Sequence, residues 1–209
     1  MLGVLAAAVL AVSMATSPYS WSALPPPGKI VIDVATVNGS GCPADTAAVA
    51  VSPDNTAFTV TYSDYMAQAG IGAAPTDFRK NCQLNLRVYV PQGFTYAIMQ
   101  ADYRGFGYLE PGATGLERAN YYFQGQSPTG YTSHRFSGPF SEDWQSTDVS
   151  DVTQLVWEPC GAERNFNINT ELRVSSGTSN PQTSTSFLSM DSTDGSFNTM
   201  YHFAWKRCV

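Results

Sequence analysis

Short runs of alternating apolar and polar residues, separated by turn-forming residues, recur along most of this chain. Residues 83–90 (QLNLRVYV) are the clearest example, because their four aliphatic side chains would all lie on one face of a β-strand. Turn signals such as Asn38-Gly39 stand between the runs rather than inside them. A chain patterned in this way favours antiparallel sheets, each with one buried face, over a helical bundle.

Ten strands are predicted from this pattern. They cover residues 29–37, 47–51, 57–62, 83–90, 94–106, 118–126, 133–138, 165–174, 184–190 and 199–205. Helical evidence is limited to about one turn each at 63–68 and 149–155, the second with Asp148 as its N-cap. The sequence therefore predicts an all-β fold, an antiparallel β-sandwich of Greek-key or jelly-roll type.

The amino terminus has the features of a secretory leader. Residues 2–12 (LGVLAAAVLAV) form an apolar run that is too short to span a bilayer, which needs about 20 residues. Small residues follow, so we interpret 1–15 as a signal peptide, with cleavage there or as late as residue 23. Residues 16–28 form a Pro-rich N-terminal arm, and 29–209 are expected to be a single β-sandwich domain. The predicted location is extracellular.

The four cysteines fit an oxidising compartment. Cys42, Cys82, Cys160 and Cys208 are far apart and form no C-x-x-C pair, which argues against zinc or thioredoxin-type chemistry. An even number in a secreted chain predicts two disulfides, for which three connectivities are open. We favour Cys42–Cys82 and Cys160–Cys208, because pairs close in sequence can join the end of a sheet.

Charge excludes several classes of partner. Eleven basic residues against 17 acidic ones give a net charge of −6, and no Lys or Arg block occurs. Nucleic acids and anionic membranes require clustered positive charge, so neither is predicted as a partner. No segment after the leader is long and apolar enough to be a membrane span.

No catalytic, metal or cofactor motif is recognisable. His134 and His202 are the only histidines, and both are interpreted as structural, His134 at a surface position of a strand. The residues 191–195 (DSTDG) fit a hairpin turn better than a calcium loop. A glycosidase would need two carboxylates flanking a cleft, and the sequence singles out no pair among seven candidates. The candidates are Glu110, Glu117, Glu142, Asp143, Glu158, Glu163 and Glu171.

Aromatic residues crowd the middle of the chain and lie among arginines and amides. Exposed aromatic rings beside amide groups suit sugar stacking or protein contacts, although a buried two-sheet core would also use them. The predicted ligand contacts are Tyr103, Arg104, Tyr121, Tyr122 and Trp144.

Several stretches together resemble domain-of-unknown-function family 4360, a family of small secreted proteins, mainly actinobacterial and fungal. They are 29–34 (KIVIDV), 37–43 (VNGSGCP), 57–60 (AFTV) with 62–63 (YS), 77–84 (DFRKNCQL), 101–105 (ADYRG) and 190–192 (MDS). The resemblance runs from about residue 29 to residue 208. It implies a secreted β-rich domain with paired cysteines, and it supplies no catalytic residue.

These observations lead to a functional expectation. We expect a secreted, non-enzymatic binding protein without a cofactor, which contacts a secreted protein partner or an extracellular glycan. The alternatives are a carbohydrate-binding module for cell-wall or environmental polysaccharide, and a secreted hydrolase that uses a carboxylate pair.

Overall fold

Antiparallel strands provide nearly all the regular structure in the computed structural model, which describes residues 24–127, 131–190 and 198–208. The strands are β1 (Val31–Asn38), β2 (Ala47–Val51), β3 (Ala57–Tyr62), β4 (Met66–Gly70), β5 (Arg79–Tyr89), β6 (Phe94–Leu109), β7 (Thr114–Phe123), β8 (Thr132–Ser137), β9 (Phe140–Val149), β10 (Phe166–Ser175), β11 (Thr185–Ser189) and β12 (Thr199–Arg207). Within these described ranges the one helical element is a 3₁₀ turn, Val152–Gln154.

The strands form two sheets that pack face to face. Sheet A has the order β1-β5-β10-β7-β8, and sheet B has the order β2-β3-β12-β6-β11-β4, with β9 also paired to β6. Every pairing between strands is antiparallel. The sheets close over one hydrophobic core, so the predicted β-sandwich is confirmed.

Strand β6 organises sheet B because it is long enough to pair with three partners. Asp102 lies opposite both Met200 of β12 and Thr147 of β9, so these two strands flank β6 on opposite edges. Strand β11 pairs further along β6, beside Tyr108. A Cβ atom on Gly105 would overlap the backbone oxygen of Ser189 on β11 and the ring of Trp144, its cross-strand partner on β9, so both strands can approach β6 only because this position has no side chain.

Aromatic rings fill the space between the sheets. Phe123 and Phe166 come from sheet A, and Tyr96 and Phe203 come from sheet B. The ring centroids of Tyr96 and Phe123 are 5.3 Å apart, and those of Tyr96 and Phe203 are 5.5 Å apart, in both cases edge to face. Each such pair contributes about 0.5–1.5 kcal/mol beyond the burial of its area.

Both disulfides have the favoured connectivity. Cys42 is bonded to Cys82, 40 residues away, and Cys160 is bonded to Cys208, 48 residues away. In the chain-entropy description each loop closure destabilises the unfolded chain by about 4 kcal/mol.

The end of the Pro-rich arm is fixed to the domain by Asn55. The side-chain amide of Asn55 donates hydrogen bonds to the carbonyl oxygens of Pro26 (3.0 Å) and Gly28 (2.9 Å). The indole of Trp205 donates to the backbone oxygen of Asn55 (3.0 Å), which ties the arm to β12. Asn55 has a φ of 58°, a left-handed conformation that asparagine tolerates better than most residues. The predicted signal peptide, and residues 1–23 in general, lie outside the described residues.

All ten predicted strands are present, to within four residues at each end, and two further strands, β4 and β9, were not predicted. Residues 63–68 do not form a helical turn, because Met66–Gly70 pairs with β11 and the ladder overrides the local signal. Strand β9 was not predicted, because its buried residues include Ser146 and Asp148 and the alternation therefore does not read as apolar. Of the turn expected at 149–155, Val152–Gln154 is present as the short 3₁₀ element, but the predicted N-cap was wrong, because Asp148 and Val149 belong to β9 and the element follows Asp151.

No helix in the described part of the chain is long and apolar enough to cross a membrane.

Candidate functional site

The structure places the five predicted ligand contacts in three different environments. Tyr103 is fully buried and Trp144 is only 5% exposed, because both lie on the inner face of sheet B. Their side chains belong to the core and offer no surface to a ligand. Arg104 is exposed on the outer face of sheet B. Tyr121 and Tyr122, at the end of β7, remain together in an open cleft.

This cleft, of about 410 Å³, opens where β7 and β8 of sheet A meet the segment that follows β9. Three tyrosines provide its aromatic walls, and core side chains form an apolar floor. The lining residues are Ile98, Tyr121, Tyr122, Phe123, Tyr131, Thr132, Val149, Ser150, Gln154, Val156 and Phe166. Its volume lies in the range of about 300–1,000 Å³ that small-ligand sites occupy.

Strand alternation explains why two adjacent tyrosines line the same cleft from different directions. Tyr121 faces inward, where its ring packs against Phe166 with 6.1 Å between centroids and its hydroxyl lies 3.4 Å from Oγ of Ser150. Tyr122 faces outward, opposite Asn167 of β10. Burial raises the pKa of Tyr121, so its phenol is neutral at ordinary pH and can both donate and accept a hydrogen bond.

Tyr131 connects the cleft to the outer face of sheet A. The guanidinium of Arg118 lies over the Tyr131 ring, 4.4 Å from its centroid, in a cation–π contact. Tyr131 is exposed, and it was not among the five ligand contacts predicted from the sequence.

Beneath the cleft, the structure brings together two carboxyl groups that the sequence did not pair. Glu117 of β7 is fully buried, and neither of its carboxyl oxygens has a hydrogen-bond partner among the described residues. Burial, reinforced by the nearby charge of Asp148, raises the pKa of Glu117 well above its usual value. Glu117 is therefore a neutral acid in the middle of the sandwich.

Asp148 belongs to the opposite sheet, and it has a partner. Its Oδ1 lies 2.6 Å from Nε2 of His134, which faces Asp148 from β8 and sits opposite Glu117 in the strand register. His134 is thus a link between the sheets instead of a surface residue of a strand. The hydroxyl groups of Tyr103 and Tyr201 also lie close enough to Glu117 to interact with its charge, buried and without hydrogen-bond partners in the described part of the chain.

A second histidine–aspartate pair lies on sheet B. Nε2 of His202 is 2.9 Å from Oδ2 of Asp102, and Asp102 accepts further hydrogen bonds from Thr147 (2.6 Å) and Gln100 (2.9 Å). Burial alone would raise the pKa of Asp102, but these three hydrogen bonds outweigh it and the pKa lies below its usual value. Both histidines therefore hold carboxylates in the folded structure.

The sequence offered Glu117 as one of seven candidate acids but did not pair it with Asp148, for identifiable reasons. The predicted strand began at residue 118, which left Glu117 outside it, and Asp148 was interpreted as a helix cap. A glutamate at an inward-facing position of a strand is the signal that could have identified Glu117 as a buried acid. Within the described ranges no three His, Cys, Asp or Glu residues form a group that could hold a metal ion, and residues 191–195 lie outside those ranges.

Comparison with known proteins places the chain in a family. A sequence model of the family described as "Domain of unknown function (DUF4360)" matches residues 28–208. The chain belongs to the DUF4360 family. A relative from Arthroderma benhamiae, described as an uncharacterized secreted protein, is 38% identical over 185 residues, which cover 88% of this chain and 74% of that protein. This DUF4360 chain is accordingly a secreted protein.

Similarity to solved structures is weak. A family 11 carbohydrate-binding module from Clostridium thermocellum has 7% identity and a TM-score of 0.27, over 83% of this chain and 87% of that one. The enzymatically active domain of a bacteriophage CBA120 tailspike has 11% identity and a TM-score of 0.25, and the DUF4360 chain spans only 19% of its length. Such low TM-scores support no inference about ligand or activity.

Proposed function

We propose that this secreted protein is a non-enzymatic binding protein that holds a sugar unit of an extracellular glycan in the tyrosine cleft. The observation that supports this most directly is the cleft itself, which Tyr122 and Tyr131 line together with Ser150 and Gln154. Aromatic faces stack on the apolar face of a sugar ring, and hydroxyl and amide groups bind its hydroxyls.

The size of the cleft favours a small ligand over a protein partner. A stable protein interface buries roughly 800 Å² on each side, whereas this site is a concave space of about 410 Å³. A glycan chain can place one unit in such a cleft and leave the rest in solvent. A protein partner remains the competing interpretation.

The buried acid pair supports a role without catalysis. A glycosidase needs a general acid that reaches the glycosidic oxygen, with a second carboxylate on the other side of the bond. Glu117 has the raised pKa of a general acid, but it is fully buried, and Asp148 is only 6% exposed and bound to His134. Neither carboxyl lines the cleft.

Glycan binding and its dependence on the cleft test this proposal. We expect soluble neutral oligosaccharides, screened by isothermal titration calorimetry, to include ligands whose affinity falls about five- to tenfold in Tyr122→Ala. Tyr89→Ala is the matched control, because Tyr89 is an exposed tyrosine of β5, two strands across sheet A from Tyr122, and lines a separate cavity instead of the cleft.

Two results would contradict the proposal. Equal losses of oligosaccharide affinity in Tyr122→Ala and Tyr89→Ala would show that the cleft is not the binding site. Turnover of a glycoside by the wild-type protein that disappears in Glu117→Gln would show an enzyme.

A further inference from the structure

The outer face of sheet A collects arginines that are far apart in the sequence. Arg79 of β5 lies opposite Arg173 of β10, which lies opposite Leu116 of β7, which in turn lies opposite Arg135 of β8. These four positions form a single row across four strands. At about 4.8 Å per strand, the row extends for about 14 Å.

The adjacent row holds the fourth arginine of this group and one acid. Arg118 of β7 lies opposite Glu171 of β10, two residues along from Arg173. We use the name arginine row for Arg79, Arg173 and Arg135 together with Arg118 of the adjacent row.

Glu171 orients this group without neutralising it. Its carboxylate accepts hydrogen bonds from Nε of Arg79 (2.6 Å), from Nη2 of Arg118 (3.3 Å) and from Arg173. Burial alone would raise the pKa of Glu171, but the hydrogen bonds from the three arginines outweigh it and the pKa lies below its usual value. Two carboxylate oxygens cannot satisfy three guanidinium groups, each with five N–H donors. The side chains of Arg79 and Arg173 are 48% and 42% exposed, so donors and charge face solvent.

The whole face carries excess positive charge although the chain is acidic. Along the outward positions of the five strands of sheet A there are five arginines, the fifth being Arg87, and two acids, Asp33 and Glu171. The chain as a whole has a net charge of −6. Like charges placed directly opposite on neighbouring strands, as Arg79 and Arg173 are, destabilise a sheet unless something compensates them. Glu171 supplies part of this compensation, and a bound anion would supply the rest.

We infer that the arginine row binds the carboxylate groups of an acidic polysaccharide. The planar guanidinium matches a carboxylate with two parallel hydrogen bonds. Beyond the row, the same face presents amides, with Asn85 donating to Asn167 (2.7 Å), and such groups suit sugar hydroxyls. This inference rests on the proposed glycan-binding function, because Arg118 packs on Tyr131 of the cleft and one chain could occupy both.

Charge density favours a glycan over a nucleic acid. Duplex DNA carries one negative charge for about every 1.7 Å of its axis. A chain with a net charge of −6 repels such a polymer at long range more strongly than a polysaccharide with one carboxylate per sugar. The arginine row thus provides local attraction that suits the less densely charged ligand.

The test uses the mature protein with three probes: polygalacturonate, its fully methyl-esterified form, and a duplex DNA of similar length. We expect affinity electrophoresis and calorimetry to show binding to polygalacturonate and at least tenfold weaker binding to the ester. Arg135→Gln and Arg173→Gln should each weaken polygalacturonate binding about tenfold or more, which is the usual effect of losing a hydrogen bond between charged groups.

Lys29→Gln is the control, because it removes the same charge from an exposed residue outside sheet A and should change affinity less than twofold. Equal binding of the ester, equal losses in Lys29→Gln, or tighter binding of DNA would each overturn the inference. If neutral oligosaccharides bind in a way that depends on Tyr122, and carboxylate groups on the sugar do not increase the affinity, the role of the arginine row is refuted and the proposed function still stands. Binding to no glycan at all would refute both. Unfolding curves of the variants verify that each is folded.

Discussion

Replacing Glu117 with glutamine should stabilise the protein and change how its stability depends on pH. Glu117 is fully buried, and both of its oxygens lack hydrogen-bond partners among the described residues. Asp148 and His134 face it from β9 and β8, and the hydroxyls of Tyr103 and Tyr201 face it from sheet B. Glutamine has nearly the same shape and cannot ionise, so Glu117→Gln removes the proton linkage with little change in packing.

The sign follows from the direction of the pKa shift. Burial first, and then the charge of Asp148, raise the pKa of Glu117 well above the ordinary 4.5. Above pH 4.5 the unfolded chain releases this proton and the folded protein keeps it, so stability falls with rising pH until the folded pKa is reached. The slope for one proton is about 1.4 kcal/mol per pH unit. Below pH 4.5 this contribution is fully present.

Urea unfolding with intact disulfides, repeated at half-unit steps from pH 4 to pH 7, measures the effect. We expect the wild-type free energy of unfolding to fall relative to Glu117→Gln as the pH rises above 4.5, with a slope of at most about 1.4 kcal/mol per pH unit. Titrations of groups that do not interact with Glu117 cancel in the difference. Glu142→Gln removes a carboxylate from an exposed position of β9 and should leave the wild-type slope unchanged. Parallel curves for wild type and Glu117→Gln would refute the assignment of Glu117 as a buried neutral acid.

Two further substitutions have defined outcomes. Glu171→Gln should destabilise the protein by about 1–2 kcal/mol at pH 7, because the lowered pKa of Glu171 stabilises the folded wild-type protein above pH 4.5. In the same unfolding assay, the difference from wild type should shrink as the pH falls below 4.5. A difference that does not change with pH would contradict the ion cluster around Glu171. Gly105→Ala should lower the free energy of unfolding by about 1–3 kcal/mol, because the added Cβ overlaps the backbone oxygen of Ser189 on β11 and the Trp144 ring on β9. An unchanged denaturation midpoint would show that β11 and β9 can both move away from β6.

Local patterns in the sequence were sufficient for most of the fold. Alternation and turn residues located ten strands, and spacing favoured the Cys42–Cys82 and Cys160–Cys208 pairs that the structure contains. The same reasoning failed at β9, where Ser146 and Asp148 occupy buried positions. A strand with polar residues on its inner face is recognisable only once its partner is known.

The candidate sites depended on the tertiary structure to different degrees. Tyr121 and Tyr122 were identified from the sequence because adjacent tyrosines on a strand must face opposite sides. The same crowding of aromatic residues also suggested Tyr103 and Trp144, which the sheet packing buries, since composition does not reveal which face of a strand is covered.

The sequence by itself determined the class of the fold and the secreted context and favoured the observed cysteine pairing, because each depends on residues that are neighbours or on spacing along the chain. The tertiary structure alone decided which charges meet. Arg79, Arg118, Arg135 and Arg173 lie on four strands, and Glu117 approaches Asp148 across two sheets. Antiparallel register sets such encounters, and it is fixed by the packing of both sheets over one core, which links residues separated by dozens of positions in the chain.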